Sequence, residues 1–271
     1  MANKRVLFIS QEVTPYLSAG ENSTFGKELP HLFHANGYEA RLFMPRFGAV
    51  NERRNQLHEV IRLSGMNIMI GDNDHPLTVK VASMQPSRIQ VYFIDNDDYF
   101  QHLDSDSDPF GSNRADNDER VIFFARGTME TARKLRWEPA VMQVSGWMST
   151  LMPMYLKTLF RDSPNFTDTK VVYTVLPEAE ISPIDPAFFD KLRAEGISAD
   201  TVDFFRPLAA DPNLLHKLAI SYADAVVFQT ETADPDLTAF AEEKGIAWKH
   251  LAGEGDHADE YDALYKSLMT S

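Results

Sequence analysis

The chain contains no cysteine, which excludes a disulfide framework, a thiolate nucleophile and every cysteine-ligated zinc or iron–sulfur site, while saying little about compartment. It has no apolar run near the ~18 residues that a membrane-spanning helix needs. The start, Met1 to Ser10, is basic, but its apolar stretch is only four or five residues long. That is too short for a signal-peptide core, and no small-residue cleavage site follows, so cytoplasmic residence is the expectation. Positive charge is scarce: 26 lysines and arginines face 40 aspartates and glutamates, a net charge of −14. Such a balance opposes attraction to phosphate backbones and anionic membranes, so neither nucleic acid nor a membrane is expected as a partner. Glycine-rich phosphate signatures are missing too. The first loop holds only Gly20, with no G-x-G-x-x-G series, and no Walker A pattern occurs anywhere, so no cofactor is expected.

What is present suits a globular chain. Of 271 residues, 44% are hydrophobic, enough for a sizeable core, and at about 150 residues per domain the length admits one large domain or two small ones. Val6 to Ile9 is a short apolar run passing straight into polar and turn residues, as a buried parallel strand does. Thr24 to Ala35 follows with helical spacing, Asn36-Gly37 is a stop signal, and Ala40 to Met44 is a second strand. Leu77 to Met84 and Arg88 to Ile94 pair around Gln85-Pro86-Ser87. Beyond them come a helix over Glu119 to Trp137, a strand over Ala140 to Val144 and a helix over Trp147 to Phe160. Lys170 to Val175, Leu214 to Tyr222, Ala225 to Gln229 and Leu237 to Lys244 continue the alternation, with one further helix between Pro186 and Glu195. The pattern predicts a three-layer, Rossmann-like α/β domain with a mainly parallel sheet. Asp95 to Glu119, with nine acidic residues against one arginine, is expected to be a surface loop in its interior.

Open parallel sheets bind ligands beyond the C-terminal ends of their strands, which brings Ser10 to Ser23, Ser145 to Trp147 and Leu176 to Ile181 to one crevice. Its carboxylates are Glu12, Glu21, Glu178 and Glu180. Each is able to titrate or bind sugar hydroxyls, the alternative being a solvated or helix-capping role; no general acid/base pair stands out. Phosphate meeting backbone amides near Asn22 to Thr24 competes with simple capping of the helix by Ser23 or Thr24. Asp104-Ser-Asp106-Ser-Asp108 alternates like a calcium loop, yet Pro109 and Ala115 stand where an EF-hand needs glycine and glutamate, leaving a solvated acidic loop. His31 and His34 are three apart on a helix without an evident third ligand. No metal site is expected.

Several segments together resemble the N-terminal domain of bacterial glycogen synthases and plant starch synthases: Val6-Leu-Phe-Ile-Ser-Gln-Glu-Val-Thr-Pro-Tyr16, Gly37-Tyr-Glu-Ala-Arg-Leu-Phe-Met-Pro-Arg46, Val91-Tyr-Phe-Ile-Asp-Asn-Asp-Asp-Tyr-Phe100, Asp116-Asn-Asp-Glu-Arg-Val-Ile-Phe-Phe124 with Arg126, and Lys217 to Val227. The resemblance implies the N-terminal half of a GT-B glycosyltransferase, in which a second domain supplies most of the sugar-nucleotide site. Because the chain stops about where the first domain should, that second domain is expected to be absent. The family's loop K-T-G-G-L corresponds to Ser18-Ala-Gly-Glu-Asn22, its H-A-H-D-W-H-T to Gln143-Val-Ser-Gly-Trp-Met-Ser149, and its T-[VI]-H-N to Thr174-Val-Leu-Pro177. Lysine, aspartate and histidine are thus replaced by Ser18, Gly146 and Leu176, so no catalytic residue is assigned.

The resemblance therefore implies a non-catalytic, glucan-binding or regulatory protein of glycogen metabolism, a pseudoenzyme, with Glu12, Gly20, Glu21, Trp147 and Glu178 as candidate substrate-binding residues. The alternative is a glucosyltransferase subunit completed by a separate C-terminal domain. Two other possibilities are an unrelated binder or enzyme using Glu21, Glu178 and Glu180, and an assembly scaffold. Tyr16, Leu17, Trp147, Met148, Leu151, Leu176 and Ile181 make the crevice side apolar, which calls for a cover: a homo-oligomer, a second polypeptide or the chain's own C-terminal segment. Tyr261, Leu264, Tyr265 and Leu268 fall at i, i+3, i+4 and i+7, predicting an amphipathic helix over Asp259 to Met269. Residues 1–255 are accordingly taken as the domain and 256–271 as a helix packing back on it, over the crevice or on the sheet's outer face.

Overall fold

The computed structural model describes residues 4–101, 103, 108–179, 181–252 and 257–270. Its central sheet is built from β1 (Arg5–Ser10), β2 (Glu39–Pro45), β3 (His58–Glu59), β5 (Asn73–Met84), β6 (Ile89–Asp95), β7 (Val141–Ser145), β8 (Lys170–Val175), β9 (Ala225–Phe228) and β10 (Ala247–His250). The strand order is β10-β9-β8-β7-β1-β2-β6-β5-β3, with β4 (Met66–Ile70) pairing on β5. Neighbours from β10 through to β6 are parallel, whereas β5 runs antiparallel to β3, β4 and β6. The expected α/β fold with a mainly parallel sheet is therefore present. The short strands β3, β4 and β10 and a helix α5 (Ala199–Phe205) are additions to the elements expected from sequence.

The chain starts at β1 and moves one strand outward through α1 (Glu21–Ala35) to β2, then returns from β6 through α2 (Asn117–Lys134) to β7 on the other side of β1. It continues through α3 (Met152–Lys157), the run α4 (Phe188–Ala194), α5 and α6 (Leu214–Tyr222), and α7 (Pro235–Glu243). Right-handed crossovers in opposite directions place α1 on one face and α2, α3, α6 and α7 on the other. The reversal falls between β1 and β7, a topological switch point.

With α1 lying over β1 and β2, the same face of β7 and β8 is left to α8 (Ala258–Thr270), which packs beside α1. Tyr261 and Tyr265 are fully buried there. The Tyr265 ring lies 4.7 Å from that of Phe33, and its hydroxyl donates to Gln143 Oε1 at 2.7 Å. Tyr261 shares a hydrogen bond with Thr174 Oγ1 at 2.9 Å. The amphipathic helix expected from sequence thus buries its stripe on the sheet's face rather than over the crevice.

One element departs from expectation for a clear reason. The helix expected over Trp147 to Phe160 is a 3-10 turn at Trp147–Ser149 followed by the six-residue α3. Pro153 in the first turn of α3 cannot extend a hydrogen-bonded ladder toward Trp147. The ends of the acidic segment, outside the interior expected to be a surface loop, are anchored to the rest of the chain. Lys80 Nζ lies 2.9 Å from Asp95 Oδ2, Lys191 Nζ lies 2.5 Å from Asp118 Oδ2, and Tyr99 and Phe100 are buried. Asp108 accepts from the backbone amides of Ser112 and Asn113, as a turn-former does, whereas Asp104 and Asp106 lie outside the described residues.

Candidate binding site at the switch point

The loops following β1, β7 and β8 meet at the switch point and are tied to one another. Gly146, at φ +90°, turns the chain back after β7, and a Cβ there would stand 2.6 Å from Gln11 Cβ. That close approach lets Gln11 Oε1 accept from the Met148 amide at 3.2 Å. On the other side, a Cβ on Gly26 would meet the Glu12 carbonyl oxygen at 2.3 Å, so the loop holding Glu12 lies directly on α1. Asn22 Nδ2 donates to the Pro177 carbonyl at 2.6 Å, and Glu178 Oε1 accepts from the Trp147 amide at 2.9 Å. Gln11, Glu12, Asn22, Gly146, Leu176 and Glu178 close on one another and leave no water-sized void between them.

Beside this narrow crevice lies a roomier cleft of about 720 Å³ between the segment after β8, the start of α6 and the loop after β9. Glu178, Asp211, His216, Thr230 and Asp234 are among its polar lining, and no lysine or arginine lines it among the described residues. Lys217, just outside, pairs with Asp211 at 2.7 Å.

Glu178 is the central group. Its side chain is 10% exposed, Oε1 is satisfied by Trp147, and Oε2 is buried with no hydrogen-bond partner. Loss of hydration pushes its carboxyl from an ordinary 4.5 up to about 8; the Trp147 amide opposes this and the charge of Glu12 adds to it. Glu12 is raised by the same loss of hydration, with Asn22 pulling the other way. His216 Nε2 stands 3.9 Å from Glu178 Oε2, while its Nδ1 is 2.6 Å from the Tyr173 hydroxyl. Burial lowers the imidazole to about 4, Asp234 opposing. At neutral pH the carboxyl therefore holds its proton and the imidazole is neutral, so the 3.9 Å approach is not an ion pair.

Between 4.5 and about 8 the folded chain keeps a proton on Glu178 that the unfolded chain releases, so this group's contribution to stability falls as pH rises through that window. Glu178→Gln keeps an acceptor for Trp147 and removes the titration. Its stability relative to wild type is expected to improve by about 2 kcal/mol from about pH 5 to about pH 9, less than the full shift implies because water and His216 relax around the charge. Parallel denaturant melts at the two pH values measure this, and an equal difference at both would contradict it.

Of the candidates expected from sequence, Glu12, Trp147 and Glu178 come together. Gly20 and Glu21 do not: they are exposed at the start of α1, which begins three residues earlier than expected because the Gly20 amide donates to Ser23 Oγ at 2.9 Å. Ser23 is therefore the third residue of the helix and not its cap. Glu180 lies outside the described residues. Of the apolar residues expected on the crevice side, Tyr16, Leu17, Trp147, Met148, Leu151 and Leu176 are buried within the chain, whereas Ile181 is only partly buried. Among the described residues no cluster of histidines and carboxylates could hold a metal, and no helix is long and apolar enough to cross a membrane.

Residues 5–246 match the family model of the starch synthase catalytic domain. The chain belongs to that family. A glycogen synthase of Chlorobium limicola is 33% identical over 232 residues, 83% of this chain and 47% of that protein. A glycogen synthase of Chlorobaculum parvum is 30% identical over 241 residues, covering 85% of this chain and 49% of the relative. The catalytic domain of starch synthase IV from Arabidopsis thaliana, solved bound to ADP and acarbose, superposes with a TM-score of 0.70 at 13% identity, over 94% of this chain and 52% of that one. At that identity the superposition speaks for the fold: the chain has the architecture of the N-terminal half of a GT-B glycosyltransferase. It spans about half the length of these curated relatives. Within this starch synthase family domain, sequence reasoning missed His216, which lines the cleft, and Tyr173, buried behind it. A histidine in the apolar pattern of Leu214 to Tyr222 looks like any core residue, and only the fold brings it to Glu178.

Proposed function

We propose that this domain binds α-glucan in glycogen metabolism and does not itself carry out glucosyl transfer. The observation that carries the reading is the narrowness of the crevice, which has no room for a water molecule. Leu176, which takes the place of the family's histidine, is buried there against Glu178 and Asn22, and the open space beside it is lined by carboxylates and an imidazole without a cation among the described residues. A diphosphate is repelled by such a lining, whereas neutral hydroxyls find acceptors and donors in it. Cytoplasmic residence beside soluble glycogen is part of the proposal.

The test combines two measurements on the purified chain. Affinity electrophoresis through glycogen-containing gels is expected to retard it, and incubation with ADP-glucose or UDP-glucose plus glycogen is expected to leave incorporation at background. Turnover by the chain alone would overturn the second half of the proposal. Turnover appearing only when a separately expressed C-terminal synthase domain is added would favour a transferase completed by another polypeptide.

A further inference from the structure

A hairpin closed by a two-residue turn has its last facing pair hydrogen-bonded, and bonded pairs then alternate along the antiparallel ladder. In the β4–β5 hairpin the turn is Gly71-Asp72; Ile70 faces Asn73, Met69 faces Asp74, Ile68 faces His75 and Asn67 faces Pro76. The bonded positions of β4 are therefore Ile70 and Ile68. Pro76 opposite Asn67 agrees, since a proline has no amide to bond with. The amides and carbonyls of Asn67 and Met69 thus point away from β5, and among the described residues no second strand pairs with β4 on that side.

Natural sheets guard such edges with charge, proline or brevity. The other two edges do: β3 is only His58-Glu59, and β10 carries Lys249 and His250. β4 is Met66-Asn-Ile-Met-Ile70, five residues without a charge in a chain whose net charge is −14. One of its faces is spoken for, since Ile68 and Ile70 are buried and a Cβ on Gly127 of α2 would stand 3.4 Å from Ile68 Cδ1. The other is open. Met69 is 58% exposed and Ile61, in the turn leading to the strand, is 83% exposed; with Phe204 they are the large hydrophobic side chains left exposed among the described residues. Exposed charges of opposite sign flank the strand, Arg62 before it and Asp72 and Asp74 after it, and none of them has an ion-pair partner among the described residues.

We propose that β4 pairs antiparallel with β4 of a second copy of this chain, about a two-fold axis at Ile68, and joins the two sheets into one. In that register Asn67 faces the partner's Met69 and Met69 faces the partner's Asn67, so the outward amides and carbonyls meet their complements in four hydrogen bonds. Ile68 meets its own counterpart and Met66 meets the partner's Ile70, which brings no like charges together across the seam. The Arg62 end of each strand runs toward the partner's Asp72, so the unpaired charges at the two ends match in sign twice over. A strand of an unrelated protein would gain the same backbone bonds without this match, which is why the second copy is the occupant. The pairing is independent of the glucan reading above.

Sedimentation of the full chain over a series from about 1 to about 100 µM tests the pairing. The mass is expected to rise from 30.7 kDa toward twice that value. Hydrogen exchange read residue by residue is expected to show the Asn67 and Met69 amides protected in the dimer and fast in the monomer, an effect that a dimer built elsewhere does not produce. Asn67→Pro removes an outward amide at a position where β5 takes no bond, and Met69→Lys puts an ammonium on the edge while keeping the backbone intact. Each is expected to weaken association at least about tenfold, with the circular dichroism of wild type. Arg62→Asp is expected to weaken it less, Arg62→Asp with Asp72→Arg to restore it, and Lys249→Ala on β10 to leave it unchanged. A monomer at every concentration would overturn the proposal. So would a dimer whose Asn67 and Met69 amides exchange freely, or one that survives both β4 variants. Should either variant fail to fold, the exchange measurement on the wild-type chain decides.

Discussion

Replacing Tyr265 by alanine is expected to destabilise the chain by about 4 kcal/mol, within the range for removing a buried aromatic side chain. The ring is fully buried against Phe33, and its hydroxyl is the donor to Gln143 Oε1. Truncation therefore opens a cavity between α1 and α8 and also strands a buried amide oxygen in the middle of the sheet. Gln143 Nε2 remains tied to Thr174 at 2.8 Å, so the side chain cannot simply turn to water. Tyr265→Phe keeps the ring and loses only the hydrogen bond, for which about 1 to 2 kcal/mol is expected. For a chain of this size the alanine variant should melt on the order of 10 °C lower. Scanning calorimetry separates the two variants, and a Tyr265→Ala melt within a degree or so of wild type would mean that α8 adds little to the packing of the sheet.

Arg120→Met is expected to cost about 3 to 5 kcal/mol, the range found when one partner of a buried charged network is removed. The guanidinium is fully buried and donates from Nε to the Tyr99 carbonyl at 2.9 Å, from Nη1 to Gly111 at 2.8 Å and Asn117 Oδ1 at 2.7 Å, and from Nη2 to Phe110 at 2.7 Å. Loss of hydration lowers it to about 10, with Arg114 acting the same way and Asp116 and Asp108 opposing, so it stays charged at neutral pH. Methionine fills much of the volume but takes the arginine donor from the Tyr99 and Phe110 carbonyls and from Asn117 Oδ1, and leaves Gly111 with the Arg114 amide at 3.2 Å. Arginine also lies 5.9 Å from the centre of the Trp147 ring, which links the acidic segment to the switch point. The variant should therefore shift tryptophan emission as well as the denaturant midpoint. Arg120→Lys is no rescue, since one ammonium cannot reproduce the planar fork. A variant as stable as wild type would show that water reaches these carbonyls.

The inner strands were legible because each is buried on both faces and so shows as a continuous apolar run: β1, β7, β8 and β9 are buried along nearly their whole length. β10 was not, because as an edge strand its Ala247, Lys249 and His250 are exposed and no apolar pattern survives. The site divided in the same way. Glu12 and Glu178 could be placed from the rule that ligands gather beyond parallel strands, since both closely follow strand ends. Glu21 failed because the register of the first turn of α1 decides which side chains face the crevice, and that register depends on the Ser23 contact to Gly20. Trp147 stood at the right loop, yet the left-handed turn at Gly146 carries it inward, where it is 3% exposed. His216 and Tyr173 are distant in sequence and each is ordinary alone; their meaning lies in the 2.6 Å contact that the fold creates.

The placement of α8 also has a consequence for synthesis on the ribosome. At roughly 5–20 residues per second, β7 and β8 emerge and pair several seconds before the helix that covers them. In that interval Gln143 and Thr174 have no tyrosine hydroxyls to meet and stay wet, and the flanking apolar positions of both strands present a paired but uncovered sheet. The nascent chain thus passes through a stage in which one face of a finished sheet is open to chaperones or to other nascent chains, and folding closes from its C-terminal side.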